Sequence, residues 1–424
     1  MNARYLGSRR HFLCCMGAAA AGLFTGAAAA APWSTACRAG LPPAAQDLVT
    51  RAFEGLDATQ LWDSHAHLLG NGDSGSGCFL HPSLVSGFNV VERLRKRVIL
   101  DAACVPGDAP SVDRAYVERF HALAEGFPPG ARWLLFAFEQ AHDERGRTDL
   151  EHTTVHVPDR YAAAVAAQHP ERFAWVASIH PYRDDALAVL EQAARDGARA
   201  VKWLPSSMNI DLRDGRSRRF GERATALGLP LIVHCGEEKA VPGARRDALV
   251  NPLHVRALLE RGVRVIVAHC ASLGHAEDLD QPSAPSVPAF DLFARLMGER
   301  AHEGLLLGDI SAIFQVNRRP VVWKTLLERS EWHARLLNGS DYPLPGLRVL
   351  TSYRRLVDAG VLADALVQPL DALRDHNALL ADFVLKRSVA SGSARLAGAV
   401  FETARHFTPP RKGEAAGDTE RRKP

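Results

Sequence analysis

Eight short apolar runs recur along the chain, most of them with polar residues at their C-terminal ends. They are 61–68 (LWDSHAHL), 132–140 (RWLLFAFEQ), 173–180 (FAWVASIH), 199–205 (RAVKWLP), 230–236 (PLIVHCG), 264–270 (RVIVAHC), 305–311 (LLLGDIS) and 335–343 (RLLNGSDYP). Nearly continuous apolar runs of this length suit parallel strands buried on both faces. The helix-like segments between them, such as YAAAVAAQHP, DDALAVLEQAARDG, GERATALG and HVRALLERG, end in or near Gly or Pro, which is ordinary helix punctuation. Strand–helix alternation implies βα units and a parallel sheet. An open doubly wound sheet is one solution. Eight strands with polar C-terminal ends favour the other, an α/β chain closed as a (β/α)8 (TIM) barrel whose strand ends converge on one mouth. The 424 residues, 47% apolar, suffice for one such barrel with additions, and 23% charged residues argue against extensive disorder.

The ends of the chain read differently. Residues 1–31 contain Arg4, Arg9 and Arg10, no acid, and an Ala/Gly-rich apolar stretch ending in small residues. That is the layout of a signal peptide, and Ser8-Arg9-Arg10-His11-Phe12-Leu13 resembles a twin-arginine export motif. The expectation is a leader recognised by the twin-arginine export machinery and a periplasmic or secreted mature chain. Without the leader, 48 bases face 48 acids, so no basic face for nucleic acid is implied. Residues 32–57 read as a linker and short helix, 58–403 as the barrel and 404–424 as a polar tail. Cys37 follows Ser34-Thr35-Ala36, a faint likeness to a lipoprotein processing site. Cys78, Cys104, Cys235 and Cys270 show no close metal-ligand spacing, and the expectation is buried thiols without a disulfide framework. Two loops, 69–83 after the first strand and 271–290 after the sixth, stand where a barrel shapes its pocket.

Chemistry concentrates at the strand ends. In Asp63-Ser64-His65-Ala66-His67, alternation puts both imidazoles on one face of a strand, within reach of one metal ion. Lys202 lies in the fourth run, His234 and His269 near the ends of the fifth and sixth, and Asp341 at the end of the eighth. Polar groups that repeatedly terminate apolar strands need shared partners, because burying them alone costs several kcal/mol. A common ion or hydrogen-bond network meets that need.

These residues make the chain similar to the amidohydrolase superfamily, in particular its amidohydrolase-related branch, which also holds decarboxylases and hydratases. The resemblance runs from about residue 58 to 400. It implies that His65 and His67 bind the more buried metal and that Asp341 binds metal and handles the proton of the attacking water. By the same resemblance, Lys202 matches a lysine that is carboxylated and bridges two ions in two-metal members. His234 and His269 then bind the second ion; in one-metal members His234 joins the first and His269 serves substrate or water. The expected cofactor is one or two divalent ions, zinc by ligand type.

Further candidates carry two readings each. His180 and Glu139 end strands and could touch substrate or be structural. Trp203 and Pro205 could shape the pocket wall, or Trp203 could pack beneath the helices. Asp309 reads as a partner that orients a ligand. Arg318 or Arg319 could bind a substrate carboxylate, with an exposed, salt-bridged surface the other reading for at least one of them; His275 and Glu237 lie in loops without a defined role, and Asp63 could orient His65 or cap backbone. The leading function is metal-dependent hydrolysis of an amide, ester, lactone or phosphoester in a small molecule. The rival is non-oxidative decarboxylation or hydration. No Gly-rich phosphate cradle precedes a helix, so no nucleotide cofactor is implied. A homodimer is expected only as the commonest oligomer.

Overall fold

Eight parallel strands follow the eight apolar runs: β1 Trp62–His67, β2 Arg132–Phe136, β3 Phe173–Val176, β4 Val201–Trp203, β5 Leu231–His234, β6 Val265–Ala268, β7 Leu306–Asp309 and β8 Leu336–Leu337. They are seen in a computed structural model that describes residues 34–35, 37, 40–41, 43–82, 90–239, 241 and 246–408. The proposed leader lies outside the described residues, as do residues 409–424 of the tail. The strands form two ladders, β1-β2-β3 and β4-β5-β6-β7-β8, each in chain order. Single parallel bridges span both seams, Ala177 to Val201 and Ala66 to Tyr342. Backbone hydrogen bonds reinforce them, from Lys202 N to Ala177 O at 2.8 Å and from Asp341 N to His65 O at 2.7 Å.

Inward and outward faces separate into two cores. Trp62, Leu134, Phe136, Ala174, Val176, Ala200, Ile232, Ile266, Ala268, Leu307 and Leu337 make one compact cluster enclosed by the strands. Alternate residues of the same strands join a larger cluster beneath the helices. Ala404 and Phe407 belong to the enclosed cluster, so residues 404–408, assigned to the tail from sequence, pack as part of the body.

β1 breaks simple alternation. Asp63 pairs with Trp133 and Ala66 with Leu135, so Ser64 and His65 together stand opposite Leu134. Such a bulge shifts parity by one residue. Trp62 can therefore fill the enclosed core while His65 and His67 project from the same strand into its upper end. Gly339 is required beside them: a Cβ there would come within 2.6 Å of His65 Cβ. Two short antiparallel pairings decorate the structure, Phe79–Leu80 with Val155–His156 and His275–Glu277 with Ser286–Pro288.

Cys37 and Cys104 form a disulfide across 67 residues. This corrects the expectation of no disulfide, which rested on spacing, because a bridge between distant segments leaves no local pattern. It also occupies the thiol that lipidation of Cys37 would need. Cys78, Cys235 and Cys270 are free and buried, as expected. No helix among the described residues is long and apolar enough to cross a membrane.

Candidate metal centre

At the C-terminal ends of β1, β7 and β8, His65 Nε2 and His67 Nε2 both face Asp341 Oδ1, at 3.5 and 3.0 Å. One ligand atom from each of these three residues lies within 4.8 Å of the others. His65 is 1% exposed and Asp341 is buried, whereas His67 keeps 22% of its side chain open. Asp341 has a φ of 58°, and His269, Cys270 and Ala271 have φ values of 52°, 49° and 50°. Left-handed backbone at non-glycine residues costs on the order of 1–3 kcal/mol each and concentrates where geometry serves a site. By strict alternation after Ile266 and Ala268, His269 would face outward; the left-handed turn brings it to the mouth, with its ring 4.7 Å from that of His65.

A supporting layer lies one step deeper. His65 Nδ1 donates to Asp309 Oδ2 at 2.9 Å. Asp309 Oδ1 accepts from the backbone N–H groups of His269 and Ser311, each at 3.0 Å, and from the Ser311 hydroxyl. With that hydroxyl committed to Asp309, His269 Nδ1 donates to Ser311, whose O and Oγ lie at 3.1 and 2.8 Å. These tautomers are assigned from the network. They leave the Nε2 lone pairs of His65 and His269 free to bind a cation. His65, His269 and Asp309 also lie close enough to hold an ion, but their mutual hydrogen bonds make them the frame of the outer group.

Charge states fit that role. Burial pushes His65 down to about 4, with Lys202 adding to the effect. Burial likewise lowers His234 and holds His269 well below the ordinary imidazole range. For Asp341 burial opposes ionisation, yet His269, His67 and His65 hold its carboxyl well below the usual range. A cation at this group would take over the positive charge that the facing imidazoles otherwise supply to the Asp341 carboxylate.

Across the mouth, His234 Nδ1 is 3.3 Å from Glu238 Oε2, and its ring centre is 5.3 Å from that of His269. His234 Nε2 and Lys202 Nζ are both buried without a hydrogen-bond partner among the described residues. Lys202 Nζ lies 5.2 Å from the centre of the Phe136 ring, and burial pushes it down to about 8. His234 Nε2, buried beside this group, adds a neutral nitrogen that fits a metal ion, whereas Lys202, still protonated near neutral pH, would join it only after losing its charge.

Asp309 orients His65. Asp63 caps backbone, accepting from His65 N at 3.0 Å and Ser340 N at 2.9 Å. His180 is structural: Nε2 donates to Met208 O and Nδ1 accepts from Tyr182 N. Glu139 pairs with Arg183 at 2.8 Å. Trp203 packs on Phe220 and donates to Ile179 O, while Pro205 opens a one-turn helix, Pro205–Met208. Arg319 pairs with Asp291 at the surface, Glu237 with Lys239, and His275 is exposed. Arg318 is buried, with Nε donating to Ser272 Oγ. Sequence reading missed Ser311 and Glu238. Ser311 follows Asp309 by two residues on the same run, and Glu238 follows His234 by four, so both had a spacing signal.

The amidohydrolase family model matches residues 62–374. No curated protein matches the chain. Solved structures similar to it include a probable 2-pyrone-4,6-dicarboxylic acid hydrolase from Acinetobacter baumannii with citric acid bound, at 14% identity, covering 71% of this chain and 91% of that one, TM-score 0.41. Another is 5-carboxyvanillate decarboxylase from Sphingomonas paucimobilis, at 13% identity, 82% and 98% coverage, TM-score 0.42. A third is a dihydroxybenzoic acid decarboxylase from Polaromonas with bound manganese, at 14% identity, 69% and 93% coverage, TM-score 0.36. The family match spans most of the chain, including every strand and every residue of the metal centre, and on that ground the chain belongs to the amidohydrolase family.

Proposed function

We propose that this chain is a metal-dependent hydrolase whose eight strands close as a (β/α)8 barrel around the centre. The observation that carries the reading is the convergence of His65, His67 and Asp341 above an otherwise apolar barrel interior. A divalent cation bound there, zinc or manganese by donor type, supplies Lewis acidity toward a carbonyl or phosphoryl oxygen and toward water. His65 and His67 hold the cation, and Asp309 fixes the ring of His65. Asp341 takes the proton of the attacking water and returns it to the leaving group. His234, His269 and Lys202 offer the donors for a second ion, with Lys202 in carboxylated form.

A second reading, non-oxidative decarboxylation, is favoured by one observation: Lys202 and Arg318 place two buried cationic side chains near this mouth, where a substrate carboxylate would be held. The test is a substrate panel of lactones, esters, amides and phosphoesters, set beside aromatic carboxylic acids, before and after chelation. Hydrolysis that disappears on chelation and returns with zinc or manganese supports the first reading. Release of carbon dioxide without hydrolysis establishes the second. Export to the periplasm by the twin-arginine route is part of the proposal, supported by the Cys37–Cys104 disulfide, a bond that persists in oxidising compartments.

A further inference from the structure

Among the described residues, three groups of His and acidic side chains come close enough to share a metal ion. Two contain His65 and belong to the centre described above. The third, His121, His169 and Glu171, shares no residue with them and lies at the other end of the strands, since Glu171 stands two residues before Phe173, where β3 begins. Glu171 Oε1 is 3.3 Å from His121 Nε2 and 3.9 Å from His169 Nδ1. The centres of the two imidazole rings are 4.3 Å apart. An exposed ion pair needs only one imidazole and contributes little; here two imidazoles share one carboxylate oxygen. Donor atoms around a tetrahedral zinc, with bonds of ~2.0–2.2 Å, stand about 3.4 Å apart. The first contact already has that spacing, and the second needs to close by about half an ångström.

The surroundings favour a cation. His121 lies in the last turn of the helix Val112–Ala124, and His169 is the cap that ends the helix Asp159–Gln168. Two helix C-termini, each with partial negative charge, therefore meet at the group, and both stabilise positive charge there. The two imidazoles lie edge-on to the buried ring of Phe173, at 6.0 and 5.8 Å between centres, which backs the group on its inner side. Glu125 caps the first helix four residues after His121 and brings Oε1 within 3.8 Å of His121 Nε2, so a further oxygen is at hand. The neighbouring Arg172 is paired with that same Glu125 at 2.9 Å and donates to Phe127 O and Pro128 O, which leaves Glu171 to the two histidines.

We propose that His121, His169 and Glu171 form a separate, structural site for a divalent cation, zinc by its two nitrogens and one oxygen, which ties the ends of two helices to the start of β3. A site at the N-terminal end of the strands acts on stability and not on turnover. It does not rest on the His65–His67–Asp341 centre. The test uses the full chain, stripped of metal by a chelator and titrated with zinc alone, as wild type, as E171Q and as the double variant H121Q/H169Q. Wild type should bind one more equivalent of zinc than the double variant. E171Q should hold that equivalent about tenfold or more weakly, since even residues that only orient ligands count for that much. Zinc should raise the melting temperature of wild type further than that of the double variant, with the zinc bound at the His65 group unchanged. Equal zinc content in wild type and the double variant would overturn the proposal, as would an equal rise in melting temperature. If the double variant does not fold, the E171Q titration decides, and a curve identical to that of wild type would overturn the proposal. A wild type that binds a single zinc, lost in the double variant, would sink the metal reading of the His65 group and uphold this site.

Discussion

The two sides of the mouth at the strand ends are built on opposite plans. Around β1, β7 and β8 the imidazoles and carboxylates are paired, His65 with Asp309, His269 with Ser311 and His67 with Asp341, while only the smaller Ser64 Oγ and Asn338 Oδ1 are buried there without a hydrogen-bond partner among the described residues. Around β4 and β5, and in the segment after β7, Lys202 Nζ and His234 Nε2 are buried without hydrogen-bond partners among the described residues, and the hydrogen-bond acceptors of Arg318 there are neutral. A buried polar group normally finds a partner, because desolvation is otherwise uncompensated. The first side is therefore a preorganised frame. The second has unused bonding capacity, which suits a second ion or a substrate, while the first side holds the catalytic ion.

The largest expected effect comes from the first side. D341N should lower turnover by about 10²–10⁴-fold, the range for losing a positioned base, measured as kcat on whichever substrate the panel identifies. A kcat within twofold of wild type would remove Asp341 from the chemistry. D309N comes next. It keeps the shape but loses the carboxylate that fixes His65, so metal affinity should fall about 10–100-fold, measured by competition with a chelator. Unchanged affinity would mean that the frame does not position the centre.

The second side predicts a different sign. K202M removes a buried cation without a partner and fills its volume with apolar atoms, so the melting temperature should stay level or rise while activity falls. A clear drop in melting temperature would show that Lys202 has a structural partner and would blur the contrast between the two sides. The smallest effect concerns His180, which lies outside both. Burial, with His142 next, lowers its pKa to about 3. In the window from 6.5 down to about 3 the unfolded chain binds the proton and the folded one does not, so stability rises with pH across it. H180Q should flatten part of that slope, read from urea midpoints at pH 4 and 7. An unchanged slope would mean that His180 titrates alike in both states.

Much of this contrast could be read from residue order. The eight runs became the eight strands because apolar continuity is imposed by burial on both faces, and His234 was legible because Ile232 and His234 follow regular alternation. His65 and His67 were paired for the right spacing but an incomplete reason: parity is set by the bulge at Ser64–His65, which turns both away from the side that Trp62 alone would imply. His269 and Asp341 reach the mouth only through left-handed backbone, which no periodicity encodes. Ser311 went unnoticed because a serine two residues after Asp309 looks like ordinary strand-end polarity. The Cys37–Cys104 bridge was illegible because it depends on where two distant loops meet.

The central claim is that the paired side of the mouth holds a catalytic divalent ion. The most direct measurement is an anomalous-scattering map from crystals of protein purified without added metal, with turnover measured on the same preparation. The account predicts a peak coordinated by His65, His67 and Asp341, with any second peak toward His234 and Lys202. Full activity in a preparation with no peak at those three residues would contradict it.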